Sequence, residues 1–174
     1  LPRSWQAVAL LMAVLRAQAV ACPLSTRLPP ERVADRLRRI QSALLVTDDR
    51  RVTEAVDEED VAVLTASAVL LTGKSRRSTE PWTVHVDQPA TVVFTSGSTG
   101  TPKAALHTIG NHYFSAEGAN QNIPLEPGDR WLLSLPLYHV GGLAILFRCW
   151  LAGAAAVVPD PAAEVPATIA EQRI

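Results

Sequence analysis

The sequence predicts an α/β protein, and three features of it carry that prediction. Segments with helical spacing of apolar residues alternate along the chain with short β-branched runs. Hydrophobic residues make up 48% and charged residues 19%, enough apolar surface to bury a core and too much for a disordered chain. A glycine- and hydroxyl-rich bend follows directly on one of the apolar runs, as a strand leaving the core for a loop would. The 174 residues suit one domain. With 16 basic and 17 acidic groups the net charge is −1, which argues against a nucleic-acid partner and against an anionic membrane surface. Cys22 and Cys149 are too far apart in sequence for a disulfide framework and lack zinc-site spacing. A reduced, cytoplasmic setting is expected.

Element by element, Trp5 to Ala21 is mostly apolar and admits three readings. A membrane span is interrupted by Arg16 and Gln18. A signal peptide is suggested only by Ala17-Gln18-Ala19, without a basic start beyond Arg3. A buried helix ended by Pro23 is preferred. Pro29-Pro30-Glu31 reads as a helix start, with Val33, Leu37 and Ile40 on one face and Arg32, Arg36, Arg38 and Arg39 on solvated ones. Ala43–Val46 reads as a short buried strand. Asp48–Asp60 reads as a surface loop or helix entry, Val61–Leu71 as strand structure and Gly73–Ser78 as a loop. Trp82–Val86 alternates like a strand.

Composition shifts at about residue 81. Residues 1–80 hold 12 of the 16 basic groups, whereas all four histidines lie between 85 and 139 and eight of nine glycines between 97 and 153. The second half therefore concentrates flexible and titratable residues as a binding site would. Its centre is the strand Ala90–Phe94 running into Thr95-Ser96-Gly97-Ser98-Thr99-Gly100-Thr101-Pro102-Lys103. A helix is expected from Ala104 through Asn111 and Tyr113. The glycines let backbone N–H groups approach an anion, five hydroxyls can donate to phosphate oxygens, and Lys103 adds charge. The bend is not a Walker A loop, because Pro102 and Ala104 flank the lysine where that motif needs Gly and Ser or Thr. A flexible linker is a poor alternative, since linkers do not follow a buried strand and end in Pro-Lys before an apolar run. Lys103 is also one of only two lysines against fourteen arginines, which makes a solubilising role a weak explanation.

Downstream, Val140–Leu151 reads as an apolar helix entered through Gly141 and Gly142, with Tyr138 and His139 just before it. His139 is either a ligand-bordering residue or a histidine packed under a helix. Arg148 either meets an acidic group of a substrate or forms a structural ion pair. Cys149 reads as buried. His107 and His112, five apart, lack the spacing for metal ligation from one helix face and take no role. Ala162–Ile174 has a helical pattern.

The nine residues Thr95–Lys103 resemble the AMP-binding signature of the adenylate-forming superfamily, and Ser134–Leu143 resembles that family's next motif, beside the acyl pocket. Gly128–Arg148 and Pro23–Pro29 are similar to the o-succinylbenzoate–CoA ligase branch, which serves menaquinone biosynthesis. The resemblance implies mixed sheets flanked by helices, as part of a large N-terminal domain. On that view residues 1–174 are a partial AMP-binding domain, incomplete at both ends, without the small C-terminal domain and inactive alone.

It further implies an ATP-dependent acid–thiol ligase that forms an acyl-adenylate and transfers the acyl group to coenzyme A. Other acyl or aryl acids, carrier-protein loading, or a nucleotide-binding module without catalysis are the alternatives. Thr95, Ser96, Gly97, Ser98, Thr99, Gly100, Thr101 and Lys103 are implied to hold the ATP phosphates. Tyr138, His139, Gly141 and Gly142 are implied to border the acid. No catalytic residue is assigned, and the magnesium ligand, the adenine and ribose contacts and the catalytic lysine are expected outside this chain. Partners are a carboxylic acid, ATP and coenzyme A; no membrane span is expected, and a homo-oligomer is left open. Ala104 departs from the Gly that many members carry after the lysine.

Overall fold

The computed structural model describes residues 1–56, 61–72, 82–97, 101–160 and 165–174. Its elements in chain order begin α1 (Trp5–Arg16), α2 (Pro30–Arg39), β1 (Leu44–Val46), α3 (Arg50–Ala55), β2 (Ala62–Leu64) and α4 (Ala66–Thr72). They continue β3 (Pro89–Thr95), β4 (Lys103–Thr108), α5 (Ile109–Asn122), β5 (Arg130–Leu132), α6 (Val140–Ala152), β6 (Ala155–Val157) and α7 (Val165–Gln172). The chain divides into two compact units, one of residues 1–2 and 24–81, the other of residues 3–23 and 82–174.

In the first unit, Pro30 opens α2 with its φ already helical, and Glu31 and the Arg36, Arg38 and Arg39 guanidiniums sit at the helix ends that favour their charges. Val33 and Leu37 are buried on the opposite side from exposed Arg32, Arg38 and Arg39, as the amphipathic pattern requires. With Val52, Val56 and Val61 they form the unit's core. β1 and β2 pair in parallel, Leu44 opposite Ala62. β1 is less buried than its sequence suggests: Leu44 is exposed. Asp49 caps α3 by accepting from the Arg51 N–H at 3.0 Å. Within Val61–Leu71 only Ala62–Leu64 is strand, and Ala66–Thr72 is helix. There Asp48 Oδ1 accepts from the Ala66 N–H and Thr65 Oγ1 from the Ala68 N–H, caps that outweigh the β-branched content of the segment. The Gly73–Ser78 loop lies outside the described residues.

In the second unit, Ser4 caps α1, which buries Leu11 and Leu15. The helix stops at Arg16, before Pro23. Gln18 turns to φ 56° and its N–H bonds the Leu15 carbonyl, while the Ala19 N–H bonds that of Val14. The chain is then free to run beside β3, where Ala21 exchanges bonds with Ala90 and Val92. Trp82–Val86 is not a strand, since its backbone has no ladder partner among the described residues; it leads into a turn at Val86-Asp87. β3 pairs antiparallel with β4, and β5 pairs in parallel with β6.

Lys103–Thr108 is thus a strand and not the start of a helix. Ala104, Ala105 and Leu106 favour helix intrinsically, but pairing with β3 supplies their backbone groups with partners. The helix begins only at Ile109, where Thr108 and Asn111 form a reciprocal cap at 3.2 and 2.9 Å. α6 follows its sequence pattern, bounded by His139 at its start and by Gly153 at φ 69° at its end. α5 and α6 pack side by side over a core of Leu15, Ala90, Leu133, Leu143, Leu146 and Cys149. No helix among the described residues is long and apolar enough to cross a membrane.

Candidate functional site

The glycine–hydroxyl bend is the tip of the β3–β4 hairpin. Thr95 and Lys103 are paired across the ladder, so the described residues 96–97 and 101–102 leave the end of a two-stranded stem side by side. β3 buries Ala90, Thr91 and Val93, half-buries Val92 and Phe94, and emerges at Thr95. Thr95, Ser96, Thr101 and Lys103 are all exposed, and Gly97 is half-buried. A Cβ on Gly97 would run into the carbonyl oxygen of Thr101, so the two limbs of the loop can approach only because residue 97 has no side chain. Ser98, Thr99 and Gly100 lie outside the described residues. The described tip offers three hydroxyls and one ammonium group and no carboxylate, which suits it to an anion with several oxygen acceptors.

A second group gathers at the entrance of α6. The His139 N–H bonds the Pro136 carbonyl, and its own carbonyl accepts from Gly142 and Leu143, so His139 is the first turn's anchor by its backbone. Its side chain makes no capping bond and is exposed, with the Tyr138 ring centroid 4.5 Å away. The structure therefore rejects a histidine packed under the helix. A Cβ on Gly142 would strike the Pro136 carbonyl and approach the Leu135 carbonyl oxygen to 2.9 Å, both backbone atoms. Gly141 is half-buried beside it.

Each group is internally brought together by the fold, and both rest on one apolar core: Ala90 and Val93 of β3 pack in the same cluster as Leu137, Leu143 and Leu146. Among the described residues Arg148 forms no ion pair, the structural role the sequence offered it. Its Nε donates to Asn120 Oδ1 at 2.9 Å and its Nη2 to the Ile123 carbonyl at 2.8 Å, while the guanidinium lies 4.5 Å from the Trp131 ring centroid. It ties the end of α5 to α6 through an amide and a backbone carbonyl. Cys149 is fully buried, and that burial pushes its thiol up, away from the reactive thiolate.

Sequence reasoning gave His112 no role, and the structure gives it a central position. Its Nε2 shares a 2.8 Å hydrogen bond with Oγ1 of Thr91, and both residues are buried. The ring stacks on Phe147 of α6 at 4.3 Å and 8°. Burial, with the neighbouring His107 ring adding to it, lowers the His112 pKa to about 4, so the imidazole is neutral at physiological pH. The signal was Thr91 itself, a hydroxyl in the middle of an apolar strand that needs a partner. Among the described residues no group of three or more His, Cys, Asp or Glu side chains gathers as a metal-holding cluster.

A family model described as AMP-binding enzyme matches residues 1–174. The 2-succinylbenzoate–CoA ligase of Bacillus licheniformis is 34% identical over 161 residues, 87% of this chain and 32% of that protein. The chain thus spans about a third of the length of that curated relative. The o-succinylbenzoate coenzyme A synthetase of Bacillus subtilis, in complex with the acyl-adenylate intermediate, superposes with a TM-score of 0.86 at 27% identity. That match covers 99% of this chain and 46% of the other. The same enzyme in complex with ATP and magnesium ion gives a TM-score of 0.79, again at 27% identity, with the same coverage. The hairpin with its hydroxyl tip, the glycine entrance of α6 and the mixed α/β frame beneath them accordingly belong, with the whole of this sequence, to the AMP-binding enzyme family.

Proposed function

We propose that this chain is the nucleotide-gripping part of an ATP-dependent ligase that activates a carboxylic acid, o-succinylbenzoate or a near relative, and passes it to coenzyme A. The observation that carries the reading is the hairpin tip. Thr95 and Lys103 face each other across the ladder at the mouth of a loop whose described side chains are exposed hydroxyls. Such a loop can wrap the β- and γ-phosphates of ATP, with Lys103 and the Thr95, Ser96, Ser98, Thr99 and Thr101 hydroxyls donating to phosphate oxygens, and Gly97 and Gly100 giving the backbone its close approach. Family membership and the ligands bound by the Bacillus subtilis relative support the same ligand.

In this reading the acid's carboxylate oxygen attacks the α-phosphorus and pyrophosphate leaves, giving an acyl-adenylate. The coenzyme A thiol then attacks the acyl carbon and AMP leaves. The chain's own share is positioning and charge stabilisation: the tip holds the leaving pyrophosphate, and Tyr138, His139 and the Gly141-Gly142 entrance border the acid. His139 is not needed as a base, because a carboxylate is already ionised at neutral pH. By resemblance to the family, a magnesium ion accompanying ATP takes its protein ligand from outside residues 1–174, and the tip's ammonium and hydroxyls are left to the phosphate oxygens. The partners are small molecules, no nucleic acid is involved, and the location is cytoplasmic. Residues 1–174 act as part of a larger AMP-binding domain.

The test uses the complete reading frame and pyrophosphate release, with o-succinylbenzoate screened first among carboxylic acids. Lys103→Ala is expected to raise the KM for ATP roughly ten- to hundredfold, the worth of a charge-assisted hydrogen bond, with Tm nearly unchanged. Adenylation kinetics equal to the parent's remove Lys103 from the phosphate site.

A further inference from the structure

The pair Thr91–His112 is buried and belongs to neither candidate binding group, yet it stands between the elements that carry them. β3 carries the phosphate loop at its end, four residues after Thr91, and α6 carries the Tyr138–Gly142 entrance at its start. α5 connects them: it follows β4 directly and packs along α6. At a single point all three elements are joined. His112 on α5 bonds Thr91 on β3 at 2.8 Å and lies flat against Phe147 of α6.

The chemistry of this junction is unusual for a core. Thr91 is fully buried, and a valine would fill nearly the same volume there without a hydroxyl to satisfy. A hydroxyl and an imidazole in its place bring little packing that valine and phenylalanine would not. What they add is direction: the bond fixes how far β3 slides and rotates against α5, and the stacked phenyl ring fixes the plane of the imidazole. Apolar contacts alone tolerate shifts of a few tenths of an ångström, and reacting groups in an in-line displacement do not.

We infer that His112, through its buried bond to Thr91 and its stack on Phe147, is a positioning residue that sets the phosphate loop in register with the acid-binding entrance of α6. The inference rests on the phosphate-binding reading of the β3–β4 tip.

The test is made in the complete ligase, with rates of adenylate formation normalised to natively folded protein. His112→Phe keeps the volume and the ring stack but removes the bond. It is expected to lower kcat about tenfold, with each substrate's KM changed less than threefold. His112→Gln, whose amide nitrogen reaches about as far as Nε2, is expected to recover most of the rate. The double variant Thr91→Val/His112→Phe leaves no buried hydroxyl unpaired, so its Tm should return toward the parent's while kcat stays low. A rate that returns together with Tm in the double variant, or a kcat per folded enzyme unchanged in His112→Phe, overturns the inference and leaves the pair a packing feature. Lys103→Ala in the same assay separates the two levels. If it raises the KM for ATP while His112→Phe is silent, only the positioning role fails. If it is silent too, the phosphate-binding reading fails with it.

Discussion

Two turns of this molecule depend on glycine for the same steric reason and put it to different use. At the hairpin tip, Gly97 lets the loop fold onto the Thr101 carbonyl, and the residues around it, Thr95, Ser96, Thr101 and Lys103, face solvent. At the α6 entrance, Gly142 lets the helix settle onto the carbonyls of Leu135 and Pro136, and it is flanked by buried Leu137 and Leu143. A crowded glycine therefore says nothing by itself about ligand binding. Where the surroundings are exposed and polar, the close approach leaves hydrogen-bond donors open to solvent. Where they are buried, it serves the core first and only incidentally a pocket.

The largest effect expected from this contrast is on stability. In Gly142→Ala the new methyl meets backbone atoms held by the first turn of α6, so the protein should lose about 2–4 kcal/mol, read from denaturant midpoints. Gly97→Ala sets the same methyl against an exposed loop that can open. Its stability should stay within about 1 kcal/mol of the parent, while the KM for ATP rises at least about tenfold. Equal stability losses in the two variants would erase the distinction.

How much of this was readable without coordinates follows the same division. The α6 entrance was legible: a run of apolar residues after Gly141-Gly142 has helical length and closes at Gly153. The tip was legible as a bend leaving an apolar strand, because glycines and hydroxyls follow directly on Ala90–Phe94. Its geometry was misread. Ala104-Ala105-Leu106 has the composition of a helix and becomes a strand only because β3 lies alongside, a long-range fact that no local window contains. Trp82–Val86 failed in the opposite sense, with strand-like alternation and, among the described residues, no ladder to join. His112 was invisible because its significance depends on Thr91, 21 residues earlier, and on Phe147, 35 residues later.

Beneath the tip, the base of the hairpin makes a prediction about pH. The folded protein holds His112 neutral down to about pH 4, whereas in the unfolded chain it titrates near 6.5. Between those values the unfolded state binds a proton that the folded state does not, so folding stability should fall as pH drops from about 6.5 toward 4 and level off on either side of that window. His107, the neighbouring histidine, reinforces the effect whenever it is charged. His112→Phe should flatten the pH dependence of the denaturant midpoint in this window. A parent and variant with parallel profiles would mean that His112 is protonated in the folded protein and that the base is no drier than the tip.

The smallest effect is expected at His139, where the α6 entrance comes closest to resembling the tip. Its backbone anchors the helix, and alanine keeps the Pro136 and Gly142 bonds. Its imidazole is exposed, caps nothing and touches Tyr138, so His139→Ala should cost no more than about 0.5 kcal/mol of stability. A residue so cheaply removed from the fold is available to a ligand, and the proposed function puts the acid at this entrance. The variant should therefore raise the KM for the carboxylic acid several-fold and leave the KM for ATP near the parent value, the reverse of Lys103→Ala. A fall in Tm with both KM values intact would return His139 to the core's service and would make the entrance of α6 structural from end to end.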